Sequence, residues 1–460
     1  MIKRALIGGT AVTVLMAAVL TAAAEEFPLK FETIPAKDVL EFPGGSGTYG
    51  MLTLAKPGKI RKEPKAVSSR PLYGECRELP SGPAFVFRLD ESKGTGKGYD
   101  CLIVDMNQNG DLTDEAVVHP VSLPGQPRML PASMEEALFG PIPAPAGTLI
   151  AGGLPIYYAH LNLYNRQILR AAPENQNLFI GRLQFKAGWF LDTTVRMGGI
   201  NCKVGVFDGD SNPRLGDPWQ PQTYRMAGEA ETWYFQSGDS FLVDANGSGK
   251  FEMDPFGSEF CPFGPILYFG PTPYQASLAA DNTALRIEPW NGDLAEVDLK
   301  PQGKQVRSLT LARERPNGRW ELIQPGVAEG RIKVPPGNYR LYECTLLGAG
   351  ALARDQLKLS ANDRTPRKPF SFAAGKPNIL ACGAPLEVKV TAQKTGRNMM
   401  GPYNAGDVML SIGSSVVGAE GEIYSTFLKG EHFDARPPRP TFSVLDAHGN
   451  RLAGGNLEYG

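Results

Sequence analysis

A mainly β fold built from several small sheets is what this chain predicts, and three observations carry the prediction. Apolar and polar residues alternate with period two in AFVFRLDE, YDCLIVD, RLQFKAGWFLD, ETWYFQSGDSFLVD and RIKVPPGNYRLYECTLL, the pattern of strands with one face buried. The 53 glycines and 39 prolines are scattered between these runs and form no tracts, so they read as turns between short strands. Helical periodicity is scarce. SMEE, from Ser133 to Glu136, has the spacing of a capping box and predicts roughly two helical turns. YQASLAADN, from Tyr274, predicts a second short helix.

The chain opens MIKRALIGGTAVTVLMAAVLTAAAEEF. Two basic residues, Lys3 and Arg4, precede an apolar run that ends in small residues at Ala22, Ala23 and Ala24. That is the layout of a secretory signal peptide, residues 1–24, with cleavage expected after Ala24. The run is diluted by glycine, threonine and alanine, which argues against a permanent anchor. Export to the periplasm, cell surface or extracellular space is expected, with no membrane span in the mature chain. Loss of Lys3 and Arg4 takes the formal net charge from −1 to −3. So balanced a chain gives no reason to expect nucleic acid as a partner. Its one basic cluster, KPGKIRKEPK at 56–65, is broken by proline and glycine and reads as a solvated connection.

The six cysteines include no CxxC, which excludes a zinc knuckle or a thioredoxin-type site. In an exported chain an even count is compatible with disulfides. Cys76 with Cys101, and Cys344 with Cys382, are the expected pairs, because each brackets one stretch of predicted strands.

Three modules are expected after the leader. Residues 25–285 form a β-rich region without a convincing internal break; GPIPAPAGTLIAGGLP at 140–155 reads as a long loop. Residues 286–375 read as a small β-sandwich whose phrase VPPGNYRL resembles a motif of exported prealbumin-like and carboxypeptidase-regulatory-like domains. There, Pro-Gly turns into a tyrosine-bearing strand. Residues 376–460, with AGDVMLSIGSSVVGAEGEIYSTF and PRPTFSVLDAHGNRLAGGNLEYG, are similar to an immunoglobulin-like sandwich, although the Cys/Trp/Cys spacing of antibody domains is missing.

Within the first module one pattern recurs. VDMNQNGDLTDE, FDGDSNPRLGDP and VDANGSGKFEMDP each follow a predicted strand. With Asp105, Asp208 and Asp244 as first positions, the third are Asn107, Asp210 and Asn246, and the fifth are Asn109, Asn212 and Ser248. The eighth is apolar each time: Leu112, Leu215, Phe251. Acid closes the loops at Asp111, Asp114 and Glu115, at Asp217, and at Asp254. Such spacing suits calcium, whose six to eight oxygen ligands require alternate side chains, a sharp turn at glycine and an apolar anchor. The stretches resemble the calcium loops of EF-hands and, more closely, of dockerin and thrombospondin-type repeats. The resemblance implies structural Ca²⁺ held by Asp105, Asn107, Asn109, Asp111 and Glu115, by Asp208, Asp210, Asn212 and Asp217, and by Asp244, Asn246, Ser248 and Asp254. Three departures qualify it. A strand enters each loop where a helix would, no glutamate stands at position twelve, and Pro213 occupies the glycine position of the middle loop.

Catalytic signatures are thin. Neither GGSGTYG nor GTGKG has the spacing of a phosphate loop or a hydrolase elbow. The four histidines form no HExxH and no close pair, too few donors for a zinc hydrolase. Glu229 and Glu231, with Trp233, fall on one face of a predicted strand; paired carboxylates beside an aromatic are the parts of a glycosidase site. The remaining tryptophans, Trp189, Trp219, Trp290 and Trp320, have the flat faces that sugars stack on, but are more often core. The expectation is therefore a structural or binding protein, directed at an extracellular polysaccharide or an envelope protein, with a secreted carbohydrate-active hydrolase as the alternative.

Overall fold

The computed structural model of the chain describes residues 24–40, 42, 49–76, 85–94, 98–121, 135–145, 147–163, 179–197, 200–212, 214–224, 232–236, 238–244, 247–251, 259–301, 306–347, 358–362, 369–383, 385–395, 409–419, 421–428, 439 and 441–456. The expected signal peptide lies outside the described residues, except for Ala24. Among the described residues every regular element is a strand, and no helix is long and apolar enough to cross a membrane.

Period-two sequence becomes period-two burial. In Gly181–Ala187 every second residue is buried, and in Ile156–Leu163 every second residue is buried with Tyr158 buried as well; the two strands pair antiparallel from Tyr157↔Ala187 to Leu163↔Gly181. With Tyr49–Leu52 and Glu135–Pro143 they form a four-stranded sheet. A five-stranded sheet runs Phe260–Pro262, Ser240–Val243, Ile200–Phe207, Trp189–Met197, Lys30–Thr33. A third sheet pairs Glu25–Pro28 with Ala284–Pro289, a strand that runs across the expected division at 285/286. One core lies between these sheets and includes Leu29, Phe87, Phe139, Tyr157, Trp189, Phe241 and Ile287. Trp189 is fully buried and stacks on Phe31 with ring centroids 5.6 Å apart, a core residue with no face to offer a sugar.

Both expected helices are strands. Residues from Glu135 continue as Glu135–Pro143 against Ile156–Leu163. A capping box needs an amphipathic run behind it, and ALFGPIP has glycine, two prolines and no 3.6-residue period. YQASL lies in Thr272–Leu278, paired with Ala284–Pro289. The chain then reverses at Asn282, whose φ is +57°, while Asp281 Oδ1 accepts the Thr283 N–H. Local turn chemistry and a waiting strand edge outweigh the helix propensity of alanine and leucine.

In the second half a three-stranded sheet, Arg331–Val334, Ala295–Pro301, Asn378–Cys382, shares a core with a larger sheet that runs from Trp320–Ile323 to Glu387–Thr395. Two pairings cross the expected division at 375/376. Asn378–Cys382 lies parallel beside Ala295–Pro301, and Lys358–Asn362 pairs with Ile423–Leu428. In VPPGNYRL, Tyr339 is fully buried, donates its hydroxyl to the Pro335 carbonyl and stacks on Phe372 at 5.3 Å.

Of the expected disulfides, Cys76–Cys101 is excluded by register. Cys76 bonds to Phe85 at one end of strand Val86–Asp90, and Cys101 pairs with Asp90 at the other. At ~3.4 Å per residue along a strand the two are roughly 15 Å apart, against the ~7 Å a disulfide allows between Cα atoms. Cys344 and Cys382 do meet: both are fully buried thiols, joined by a side-chain hydrogen bond.

The first core is tightly packed around Phe87. A methyl group on Gly74 would come within 2.3 Å of its ring, and one on Gly50 within 2.6 Å. Gly74→Ala is expected to lower stability by about 1–3 kcal/mol through overpacking. Phe87→Leu in the same chain should recover part of that loss, both read as shifts of the urea midpoint.

Candidate metal centre

The acid-rich loops follow strands Cys101–Val104, Ile200–Phe207 and Ser240–Val243, and they share a backbone form. The fourth residue is left-handed each time: Gln108 at φ +59°, Ser211 at +61°, Gly247 at +72°. In the outer two loops the sixth residue is left-handed as well, Gly110 at +76° and Gly249 at +77°, which is why glycine stands there. The first carboxylate is the hub. Asp105 accepts the N–H groups of Asn109 (3.1 Å) and Gly110 (2.9 Å) on its two oxygens, and Asp244 accepts those of Ser248 (2.8 Å) and Gly249 (2.7 Å) in the same way. The eighth residue points inward: Leu112 is fully buried, and Leu215 and Phe251 pack on the main core.

The middle loop solves one problem differently. Asp208 Oδ1 accepts the Asn212 N–H at 3.1 Å, but proline at position six has no N–H to give. The Tyr157 hydroxyl takes its place and donates to Asp208 Oδ2 at 3.0 Å.

The other expected ligands are placed as follows. In the first loop Asn109 Nδ2 donates to Asp114 Oδ2 at 2.7 Å; in the middle loop Asn212 Nδ2 makes the equivalent bond to Asp217 Oδ2 at 3.1 Å. Asn107 Oδ1 accepts the Asn109 N–H and Asn109 Oδ1 the Asp111 N–H. Glu115 accepts the Asn107 N–H at 3.2 Å; burial first, then the charges of Asp114 and Asp105, hold its carboxyl above the usual range. Asp111 turns outward to Thr113 and to the Lys62 ammonium, which lower its pKa to about 2. Ser248 accepts from Lys250 N and donates to its carbonyl. Asn246 and Asp254 lie outside the described residues, as do Glu229 and Glu231; Trp233 is in strand Thr232–Gln236.

The basic segment 56–65 is not simply solvated. The N–H groups of Arg61 and Lys62 bond to the Gly110 carbonyl, the Leu112 N–H bonds to the Lys62 carbonyl, and Ile60 joins a small core with Leu112. The segment pins the first loop from outside. Two tryptophans are likewise engaged: Trp219 Nε1 donates to the Asp239 carbonyl at 2.8 Å, and the Trp320 ring carries the Arg340 guanidinium at 4.5 Å.

The middle and third loops do not converge. Strands Ile200–Phe207 and Ser240–Val243 are antiparallel neighbours in the register Val204↔Val243 to Phe207↔Ser240, so the middle and third loops leave opposite ends of one strand pair. The same register has a second effect. Asp208, just after the first strand, comes to lie beside Asp239, just before the second.

There three carboxylates meet. One oxygen each from Asp208, Asp210 and Asp239 lies within 4.8 Å of the other two, the one such acidic group among the described residues. All three residues are buried, at 0, 2 and 0 % exposure. Asp239 Oδ2 accepts the N–H groups of Gly216 (2.6 Å) and Asp217 (2.8 Å), whereas its Oδ1 is buried with no hydrogen-bond partner. Burial, then the charge of Asp210, raises the pKa of both Asp208 and Asp239 well above the carboxylate range. An all-carboxylate donor set suits a hard cation such as calcium and lacks the imidazole or thiolate that favours zinc or copper. Asp239 was not among the sequence-derived candidates. It belongs to no repeat, and only the strand register makes it part of the site.

Asp105→Ala would leave the N–H groups of Asn109 and Gly110 without their acceptor. A loss of about 2 kcal/mol is expected, smaller in Asp105→Asn, which retains an acceptor oxygen; urea denaturation measures both. Comparison of the chain with protein-family models, curated proteins and solved structures found no match, so the chemistry of these loops is what speaks for its function.

Proposed function

We propose that this is an exported, non-catalytic structural or binding protein whose N-terminal β region is stabilised by calcium at its Asp-rich loops. Its β-sandwich half offers surfaces to a polysaccharide or an envelope protein. The observation that carries the reading is the shared loop form: a first-position aspartate that gathers the backbone N–H groups at positions five and six of the loop, or one of them and a hydroxyl, with a left-handed residue at position four and an apolar residue packed inward at position eight. Such a loop has its backbone turn fixed before any ion arrives, which reduces the ordering cost of binding. Export is supported by the basic-then-apolar leader ending at Ala24 and by a regular strand that starts at Glu25.

An ion bound by the folded state alone raises stability by RT ln(1 + [L]/Kd), about 2.7 kcal/mol when calcium stands a hundredfold above Kd. Calcium modules of the exported class bind at roughly 10⁻⁴ to 10⁻³ M. Millimolar calcium is therefore expected to raise the melting temperature of the N-terminal region, magnesium to do so far less, and Asp105→Asn or Asp244→Asn each to remove part of the gain. Calorimetry that detects neither calcium binding nor a melting shift at millimolar calcium would overturn this function.

A further inference from the structure

Carboxylates at a protein surface need no counter-ion, because water screens them. The group at the head of strands Ile200–Phe207 and Ser240–Val243 is different. Asp208 and Asp239 are completely buried and Asp210 nearly so. The strongest electrical influences on Asp208 and Asp239, after burial itself, include each other's neighbours of the same sign. The donors that reach these oxygens include the Tyr157 hydroxyl and the Asn212 N–H on Asp208, a further bond from the Asn212 N–H to Asp210 at 3.2 Å, and the N–H groups of Gly216 and Asp217 on Asp239, and the Asp208 and Asp210 side chains are hydrogen-bonded to each other. Asp239 Oδ1 is left with a lone pair aimed at nothing. Burying an unsatisfied carboxylate oxygen costs several kcal/mol in general, and a fold keeps such an arrangement when something binds there.

We propose that Asp208, Asp210 and Asp239 hold one tightly bound divalent cation of the oxygen-preferring class, calcium in the exported chain, as a structural metal centre inside the N-terminal region. This deepens the loop reading and rests on it for the identity of the ion; the outer loops bury their first aspartate but expose Asn107, Asn109 and Ser248, whereas all three acids of this site are enclosed. Three oxygens within 4.8 Å of one another are all within reach of one calcium, since two ligands at 2.3–2.6 Å from an ion stand no more than about 5 Å apart. Two of the ligands come from the middle loop and the third from the turn before the next strand, so the ion ties that loop to the sheet. The proline at position six, which departs from the calcium-loop pattern, belongs with this role. With no N–H from that residue, Asp208 Oδ2 is bonded to Tyr157 of the packed neighbouring sheet, and the first-position carboxylate is drawn inward.

The test is metal analysis of the full chain after desalting into chelator-treated buffer without added calcium, with melting measured in parallel in 1 mM calcium chloride and in EDTA. About one calcium per chain should survive desalting in the unaltered protein and in Asp281→Asn, a control at an exposed turn, and should be lost in Asp239→Asn and Asp210→Asn. Melting gives a sign as well as a size. In calcium, Asp239→Asn should melt below the unaltered protein, because a ligand is gone. In EDTA it should melt at or above it, because one of three mutually repelling acids is gone. Should Asp239→Asn fail to fold, Asp210→Asn carries the same comparison. A chain that retains no metal, even after incubation with 1 mM calcium before desalting, overturns the proposal, as does an Asp239→Asn variant at least as stable as the unaltered protein in calcium; either result makes the group a protonated acid cluster. Failure of the exposed loops shows separately, as absence of the millimolar melting shift while the desalted chain still carries its ion.

Discussion

Three acids brought together in a protein interior repel one another and resist losing their water, and the N-terminal region is organised around that constraint. Its origin is a strand register. Phe207 pairs with Ser240, so the residue after one strand and the residue before the next are neighbours, and both are aspartate. The surroundings then divide the negative charge among fixed donors. Tyr157 comes from the neighbouring sheet, Asn212 from within the loop, and Gly216 and Asp217 present their N–H groups to Asp239. Trp219 completes the arrangement by bonding to the Asp239 carbonyl, which joins the acid turn to the small core of Phe235, Leu322 and Tyr342 and so to the second half of the molecule.

Seen this way, one turn is used for two purposes. The first and third loops keep glycine at position six, close both carboxylate oxygens of Asp105 and Asp244 onto their own backbone, and expose residues 107–109 and 247–250. The first is further clamped by residues 59–62 and by the Lys62–Asp111 ion pair, although a pair as exposed as that contributes little by itself. The middle loop exchanges one internal bond for a tyrosine from outside and sinks into the core. The difference is a single missing N–H.

Much of this was legible in the residues. Alternation predicted strands because side chains on a strand alternate between faces, and a buried face selects apolar residues whatever sheet it joins. The loop spacing was legible because position one, the left-handed turn and the apolar anchor lie within eight residues. Where long-range pairing competed with a local signal, the local signal lost. SMEE and YQASLAADN carried helix cues, yet Glu135–Pro143 and Thr272–Leu278 found strand edges to pair with. Cys76 and Cys101 bracket one described strand in sequence and stand at its opposite ends in space. Glu229 and Glu231 lie outside the described residues.

By itself, then, the sequence determined the β class, the three loops and their common form, because each depends on contacts between residues a few positions apart. The tertiary structure decided which loop gathers carboxylates, since Asp239 is thirty-one positions from Asp208 and no local rule relates them. It also decided that strands on both sides of residue 375 share one core. Register and burial are properties of the whole packed chain: a shift of one residue between two neighbouring strands would turn Asp239 away from Asp208 without changing a single letter of either loop.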